Sequence, residues 1–205
     1  MTPVRNIIFD LGGVLLDIDY DATRRAFEDL GVTRFEEQFS QFHANALFQR
    51  LETGAVAPGV FLAQLQELLP APVPEQRLVD AWNAMLGGFR QPSLALLPAL
   101  RNRYRTFLLS NTNEIHLEAF SRLYATHFPG ALFDHLFDAA YYSHRIGERK
   151  PDASAFLYVL QQHDLAPADT LFIDDSLPNI EAARALGLQT VHLLPGMRVE
   201  EIGLI

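Results

Sequence analysis

The chain of 205 residues contains no cysteine. A disulfide framework, a thiolate zinc site and a cysteine nucleophile are all excluded on that ground. Positive charge is scarce: 16 Lys and Arg stand against 25 Asp and Glu, a formal net charge of −9. That balance opposes binding to a nucleic-acid backbone, and no nucleic acid is expected as a partner. No run reaches the ~20 apolar residues that a bilayer span needs. Asp10 interrupts the short N-terminal apolar run before a signal-peptide core can form. Repeats, low-complexity tracts and blocks of like charge are missing as well. What is present is 49% hydrophobic, 20% charged and 11% aromatic. That composition predicts one globular domain, or a core with a modest insertion, in a cytoplasmic protein without a membrane partner.

Apolar runs predict five strands, over residues 4–9, 105–110, 137–142, 170–173 and 189–193. IIF, TFLLS, TLFI and TVHLL lack polar alternation, as strands buried on both faces of a parallel sheet do. Segments of helical length, 113–127, 152–164 and 178–186, lie between the later ones, so a doubly wound α/β sheet is expected. Residues 18–90 break the rhythm. They offer no convincing strand and four helix-like stretches, 21–30, 34–51, 58–69 and 75–89. Gly31 and Gly54 sit at helix stops, Pro58 at a first turn, and PAPVP before the fourth stretch. An all-helical insertion after the first strand is the prediction.

Ligands of open α/β sheets bind beyond the carboxyl ends of the strands. The first strand ends in Asp10 and the second in Ser110-Asn111-Thr112-Asn113; SHRIGERKPD, with Lys150, follows the third, and the fourth ends in Asp174-Asp175. Taken singly, each has a structural reading: turn former, helix cap or solvated boundary. Adjacent carboxylates at a buried strand end repel, however. A hard divalent cation such as Mg2+, which takes carboxylate and carbonyl oxygens, would relieve them.

Read together, IIFDLGGVLLD, LLSNTN, GERKP and LFIDDSLPNIEAA resemble, in order and spacing, the four motifs of the haloacid dehalogenase superfamily of hydrolases. Most of its members are phosphatases with an aspartate nucleophile. The resemblance runs from residue 7 to about 187, and is strongest to the subgroup containing bacterial glucose-1-phosphate phosphatases. It implies a Rossmann-like catalytic core, residues 1–17 and 91–205, with a helical cap domain, residues 18–90. It also implies that Asp10 becomes an aspartyl phosphate, that Ser110 and Asn111 bind the phosphoryl group, and that Lys150 neutralises its charge. Mg2+ would be held by Asp10, Asp175 and the backbone carbonyl of Gly12, with Asp174 and Asn179 in support. The implied partner is a small phosphorylated metabolite such as glucose 1-phosphate; a monomer or weak homodimer is expected.

One position departs from the pattern. Gly12 stands where the superfamily has a second Asp, whose carboxylate protonates the leaving oxygen and later activates water. Such a group is worth ~10²–10⁴-fold. Three readings follow: a phosphatase selective for good leaving groups, such as anomeric phosphates; a substitute acid, with Asp17 and Asp19 nearby and Asp19 better placed to cap a helix; or a slow or non-catalytic binding relative. A 2-haloacid dehalogenase is the other chemistry of the superfamily, but those enzymes need no metal and lack an acidic pair in the fourth motif.

In the cap, LETGAVAPG resembles a segment that faces the core site, so Glu52 is a candidate for substrate hydroxyls, with Arg50 as its pair or a phosphate contact. Phe39, Phe42, Leu47 and Phe48 are expected to fill the cap interior and Trp82 to pack the fourth helix. His43, His116 and His144 show no metal-site spacing, and Arg145 and Arg149 flank Lys150. Hinges are expected near residues 17–19 and at Gly87-Gly88.

Overall fold

The computed structural model describes residues 3–33, 35 and 47–204. Five parallel strands form the central sheet: β1 (Asn6–Phe9), β4 (Arg105–Ser110), β5 (Ala139–Tyr142), β6 (Thr170–Asp174) and β7 (Gln189–His192). Their order is β5-β4-β1-β6-β7. Central β1 pairs with both neighbours, Ile7 lying opposite Thr106 on one side and Leu171 on the other. Alternate side chains feed different cores, as a two-residue period requires. Ile7, Phe9, Leu108, Leu171 and Ile173 join one cluster, with Leu97 and Phe120; Ile8, Phe107, Leu109 and Phe172 join the other, with Phe156 and Ile180. The absence of polar alternation in these strands thus reflects two apolar faces.

Helices α5 (Gln91–Arg101) and α6 (Glu114–His127) cover the first face. Helices α8 (Ala153–Gln162) and α9 (Leu177–Ala185) cover the second. A one-turn helix, α7 (Ser143–Ile146), follows β5 and ends on Gly147 at φ 74°. Between β1 and α5 lie α1 (Tyr20–Asp29), α2 (Leu47–Glu52), α3 (Pro58–Gln66) and α4 (Glu75–Asn83). These helices bury a cluster of their own, including Phe27, Phe48, Phe61, Leu65 and Trp82, joined by Ile115 from α6. Leu47, Phe48 and Trp82 fill that interior as expected; Phe39, Phe42 and His43 lie outside the described residues, as does most of the expected 34–51 helix.

The insertion is not free of strands. Leu16–Ile18 (β2) and Leu86–Phe89 (β3) form an antiparallel ribbon at its two ends, with Leu16 opposite Phe89 and Ile18 opposite Leu86. The fourth insertion helix therefore stops at Asn83, not at residue 89. Gly87 and Gly88 are strand residues here. A Cβ at Gly87 would lie 2.8 Å from the Asp17 carbonyl oxygen, so the glycine permits the two backbones to approach. With glycine poor in strand propensity, LGGF carries little local signal for β structure. Helix α5 is another element without a sequence expectation.

Candidate active site

Sheet order reverses direction around β1, and the expected polar groups converge at the carboxyl ends of β1, β4 and β6. Lys150 Nζ donates to Asp10 Oδ1 and to Asp174 Oδ2, each at 2.7 Å. The lysine is 1% exposed and lies over the Phe172 ring. Burial works against its charge, but Asp10 and Asp174 more than offset that and hold it above the ordinary lysine range. It is also the only lysine in the sequence, all other strong bases being arginine, so composition alone singles it out.

Asp174 is wholly buried and spoken for on both oxygens. Oδ1 accepts from Ser176 N at 2.7 Å, and both oxygens accept from Asn179 Nδ2 at 3.1 Å. Its supporting position is therefore geometric: it holds Lys150. Asp175 is exposed and forms no ion pair among the described residues. The tandem acids thus point to different tasks, and Lys150 relieves part of the repulsion expected between them. Asp10, Asp174 and Asp175 present oxygens within 4.8 Å of one another. Burial, only partly offset by Lys150 and reinforced by Asp174, pushes the Asp10 carboxyl up to about 7. Asp175 is also raised, by desolvation and then by Asp174.

The loop after Asp10 is tied down almost completely. Leu11 O accepts from the amides of Val14, Leu15 and Leu16; Leu16 O accepts from Gly13 N, and Leu15 O from Arg90 N. Arg90 Nη1 donates to the carbonyls of Gly13 and Val14, while its Nε pairs with Asp17 at 2.7 Å. Among the described residues, the Gly12 carbonyl alone in this stretch accepts no hydrogen bond, and Gly12 lines the cavity described below. Asp175 packs onto the same loop: a Cβ on Gly13, whose φ is +69°, would lie 2.0 Å from Asp175 Oδ2. Carboxylates and one unclaimed carbonyl form an all-oxygen donor set, which suits a hard divalent cation.

Ser110 is buried at the end of β4, beside this cluster on the cavity wall. Asn111, expected to bind substrate, lines the cavity, and its side chain also engages Lys150. Its amide donates to Lys150 O at 2.7 Å and accepts from Lys150 N at 2.9 Å, so its side chain clamps the lysine's own peptide groups. Ser143 Oγ exchanges hydrogen bonds with both backbone groups of Thr112 at 2.9 Å, fixing the loop between β4 and α6. Asn113 caps α6 by accepting from His116 N.

Above the cluster is a cavity of about 430 Å³, within the size range of small-molecule sites. Its floor includes Asp10, Ser110, Lys150 and Asp175; its walls include Ile18, Tyr20, Trp82, Met85, Leu86 and Phe120 from the insertion, the ribbon and α6. Glu52 reaches this cavity from α2 and pairs across it with Arg149 at 2.9 Å. Arg50 is exposed, so the arginine beside Glu52 is the one preceding Lys150. Arg145 instead approaches Glu114, as does His144. The candidate substitute acids are engaged elsewhere: Asp17 with Arg90, and Asp19 with the α1 N-terminus and Arg25.

His116, without a role on sequence grounds, lines the cavity with Trp82 and Tyr20. A positional signal exists, since His116 lies one helical turn beyond the polar strand end at Ser110–Asn113. Its partner Asn83 lies 33 residues away, in the insertion, and no local pattern reveals that pairing.

Comparison with known proteins agrees with this architecture. The family model for haloacid dehalogenase-like hydrolases matches residues 4–187, and the chain belongs to that family. It is 32% identical over 191 residues to a D-ribitol-5-phosphate phosphatase of Bacteroides thetaiotaomicron, covering 91% of this chain and 90% of that protein. A sesquiterpene phosphatase of Aspergillus oryzae is 30% identical over 200 residues, covering 94% and 91% of the respective chains. A crystal structure of a family enzyme from B. thetaiotaomicron superimposes with a TM-score of 0.91 at 29% identity over 98% of both chains. That enzyme has also been solved with magnesium and inorganic phosphate, and this complex matches with a TM-score of 0.87 at 29% identity, covering 98% of this chain and 99% of its own. Among the described residues no helix is long and apolar enough to cross a membrane.

Proposed function

We propose that the protein is a cytoplasmic, Mg2+-dependent phosphomonoesterase for a small phosphorylated sugar or polyol. Glucose 1-phosphate is the first candidate and ribitol 5-phosphate the second. The observation that carries this reading is the Lys150 ammonium held between Asp10 and Asp174 at 2.7 Å each, beneath a closed set of oxygen donors. Residues 18–90 act as a cap domain over a core of 1–17 and 91–205, hinged through the β2–β3 ribbon; their separate apolar cluster supports this division. The active form is a monomer or weak homodimer.

In this reading Asp10 attacks phosphorus, the ester P–O bond breaks, an aspartyl phosphate forms, and the leaving oxygen departs as the alcohol with a proton taken from solvent water. Water then attacks phosphorus, releasing phosphate and restoring Asp10. Lys150 holds one Asp10 oxygen and neutralises charge that builds on the phosphoryl group. Ser110 donates to a phosphoryl oxygen, and Asn111 acts by positioning Lys150. Asp10, Asp175 and the Gly12 carbonyl would hold Mg2+, with Asp174 and Asn179 in support; bound there, the ion neutralises phosphoryl charge. No carboxylate at residue 12 protonates the leaving oxygen, so an anomeric phosphate, whose hemiacetal oxygen leaves more readily, is favoured. The acidic trio argues against halide displacement.

The test is phosphate release from 4-nitrophenyl phosphate, glucose 1-phosphate, glucose 6-phosphate and ribitol 5-phosphate, with Mg2+ and with EDTA. Release that requires Mg2+ and prefers glucose 1-phosphate to glucose 6-phosphate is expected. Equal release in EDTA would remove the metal-dependent reading.

A second prediction concerns Gly13. Alanine there would both strain a positive φ and drive a methyl group into Asp175. Gly13→Ala is expected to raise the Mg2+ concentration for half-maximal activity about tenfold or more, because Asp175 must move away. An unchanged Mg2+ titration would show that Asp175 is not a ligand.

A further inference from the structure

We propose that His116 is a specificity-determining residue whose Nε2 accepts a hydrogen bond from a hydroxyl of the leaving group, selecting sugar and polyol phosphates over esters without hydroxyls. This rests on the phosphatase reading above.

The imidazole is 7% exposed, and it forms part of the cavity wall. Its Nδ1 lies 2.8 Å from Asn83 Oδ1. An amide oxygen accepts, so Nδ1 carries the ring proton and Nε2 is left with a lone pair. Among the described residues no donor reaches Nε2. The ring cannot readily turn to seek one. It stacks on Trp82 at 5.2 Å and 7°, and Trp82 stacks on Phe48 at 5.4 Å and 6°. Three parallel rings thus fix its plane from the interior of the insertion outward.

The wall around it joins the apolar Trp82, Met85, Leu86 and Phe120 to a few polar groups such as Tyr20 and Asn113, and an acceptor this buried is poorly solvated and is stabilised by a donor. Phosphoryl oxygens and carbonyls are themselves acceptors and cannot serve. A hydroxyl can, and sugars and polyols carry several. Burial holds the imidazole down to about 3, so the ring is neutral at working pH. With its proton committed to Asn83 it cannot replace the acid absent at position 12. Its role is recognition, and catalysis at phosphorus does not depend on it.

The test is the ratio of kcat/KM for ribitol 5-phosphate, and for glucose 1-phosphate, to that for 4-nitrophenyl phosphate, which has no hydroxyl donor. Wild type, His116→Phe and His116→Gln are compared at saturating Mg2+. Phenylalanine keeps a ring on Trp82 without an acceptor, and should lower the ratio about tenfold for at least one hydroxylated ester, mainly through KM, as loss of one hydrogen bond does. Glutamine restores an acceptor oxygen and should recover part of that loss. An equal fall on all three esters in both variants would leave only a packing role and overturn the proposal. So would a wild-type enzyme that uses 4-nitrophenyl phosphate but no hydroxylated ester. Absence of Mg2+-dependent release from every ester overturns the phosphatase reading itself, an outcome distinct from an altered ratio.

Discussion

Asp10→Asn should abolish phosphate release from every ester by ~10⁴-fold or more, because an amide oxygen cannot form the covalent intermediate. The substitution changes little in shape. It exchanges a carboxyl that burial pushes up to about 7 for a neutral group in the same place, with Lys150 still held by Asp174. Folding should survive, so lost activity can be assigned to chemistry. The same variant tests the order of steps. With glycine at residue 12, no carboxylate there activates the water that splits the aspartyl phosphate. Wild-type protein quenched under saturating substrate should therefore carry one phosphoryl group on Asp10, seen by mass spectrometry, and Asp10→Asn should carry none. Residual Mg2+-dependent turnover within tenfold of wild type would exclude Asp10 as the nucleophile.

Lys150→Met is expected to damage both activity and folding. The lysine is 1% exposed and bridges two buried carboxylates; removing it leaves both without their cation. Breaking a buried pair from one side costs about 3–5 kcal/mol. The pH dependence has a definite sign. Without Lys150 the folded Asp10 carboxyl, which burial already pushes up to about 7, holds a proton that the unfolded chain has released, so the variant loses stability as pH rises from about 4 through that range. In wild type the lysine itself is raised above its ordinary value, and its contribution is present throughout that window. Urea unfolding in EDTA should therefore show a small deficit at pH 5 and a large one at pH 8. A variant as stable as wild type at pH 8 would mean that the two carboxylates are hydrated. Arginine is a poor substitute there, since its planar fork is larger than the compact ammonium enclosed by Asp10, Asp174 and Phe172.

How far the sequence can be read depends on the range of each interaction. Strand β4 is expected over residues 105–110 and occupies Arg105–Ser110, because RTFLLS is an apolar run bounded by polar residues. Ribbon strand β3 escapes prediction because its pairing with β2 is formed by residues about 70 positions apart and its two glycines have no intrinsic strand preference. The helix expected at 75–89 overruns its true end for the same reason. In the site, Asp10, Ser110, Lys150, Asp174 and Asp175 are visible as polar residues at or beyond the ends of apolar strands. The division of labour between the tandem acids is not, since it depends on which of them meets Lys150. Asn111 shows the same limit: a polar side chain at a strand end could face ligand or protein, and here it holds the Lys150 peptide groups.

In the sequence, apolar runs mark a doubly wound α/β sheet with acids, a lysine and a serine at one edge and helices inserted after the first strand, and four motifs mark a resemblance to haloacid dehalogenase-like hydrolases. Those features are local: each is a run, a spacing or a strand terminus, written within a few residues. That Arg149 faces Glu52, that Arg90 closes the loop around Gly12 and Gly13, and that His116 stacks on Trp82 with Nδ1 against the Asn83 side-chain oxygen emerges solely from tertiary packing. The Arg149–Glu52 pair spans 97 residues and the Arg90–Gly13 contact 77. Such pairings follow no period along the chain; they are set by where packed helices and strands bring side chains together, and that is fixed only when the apolar faces have been buried.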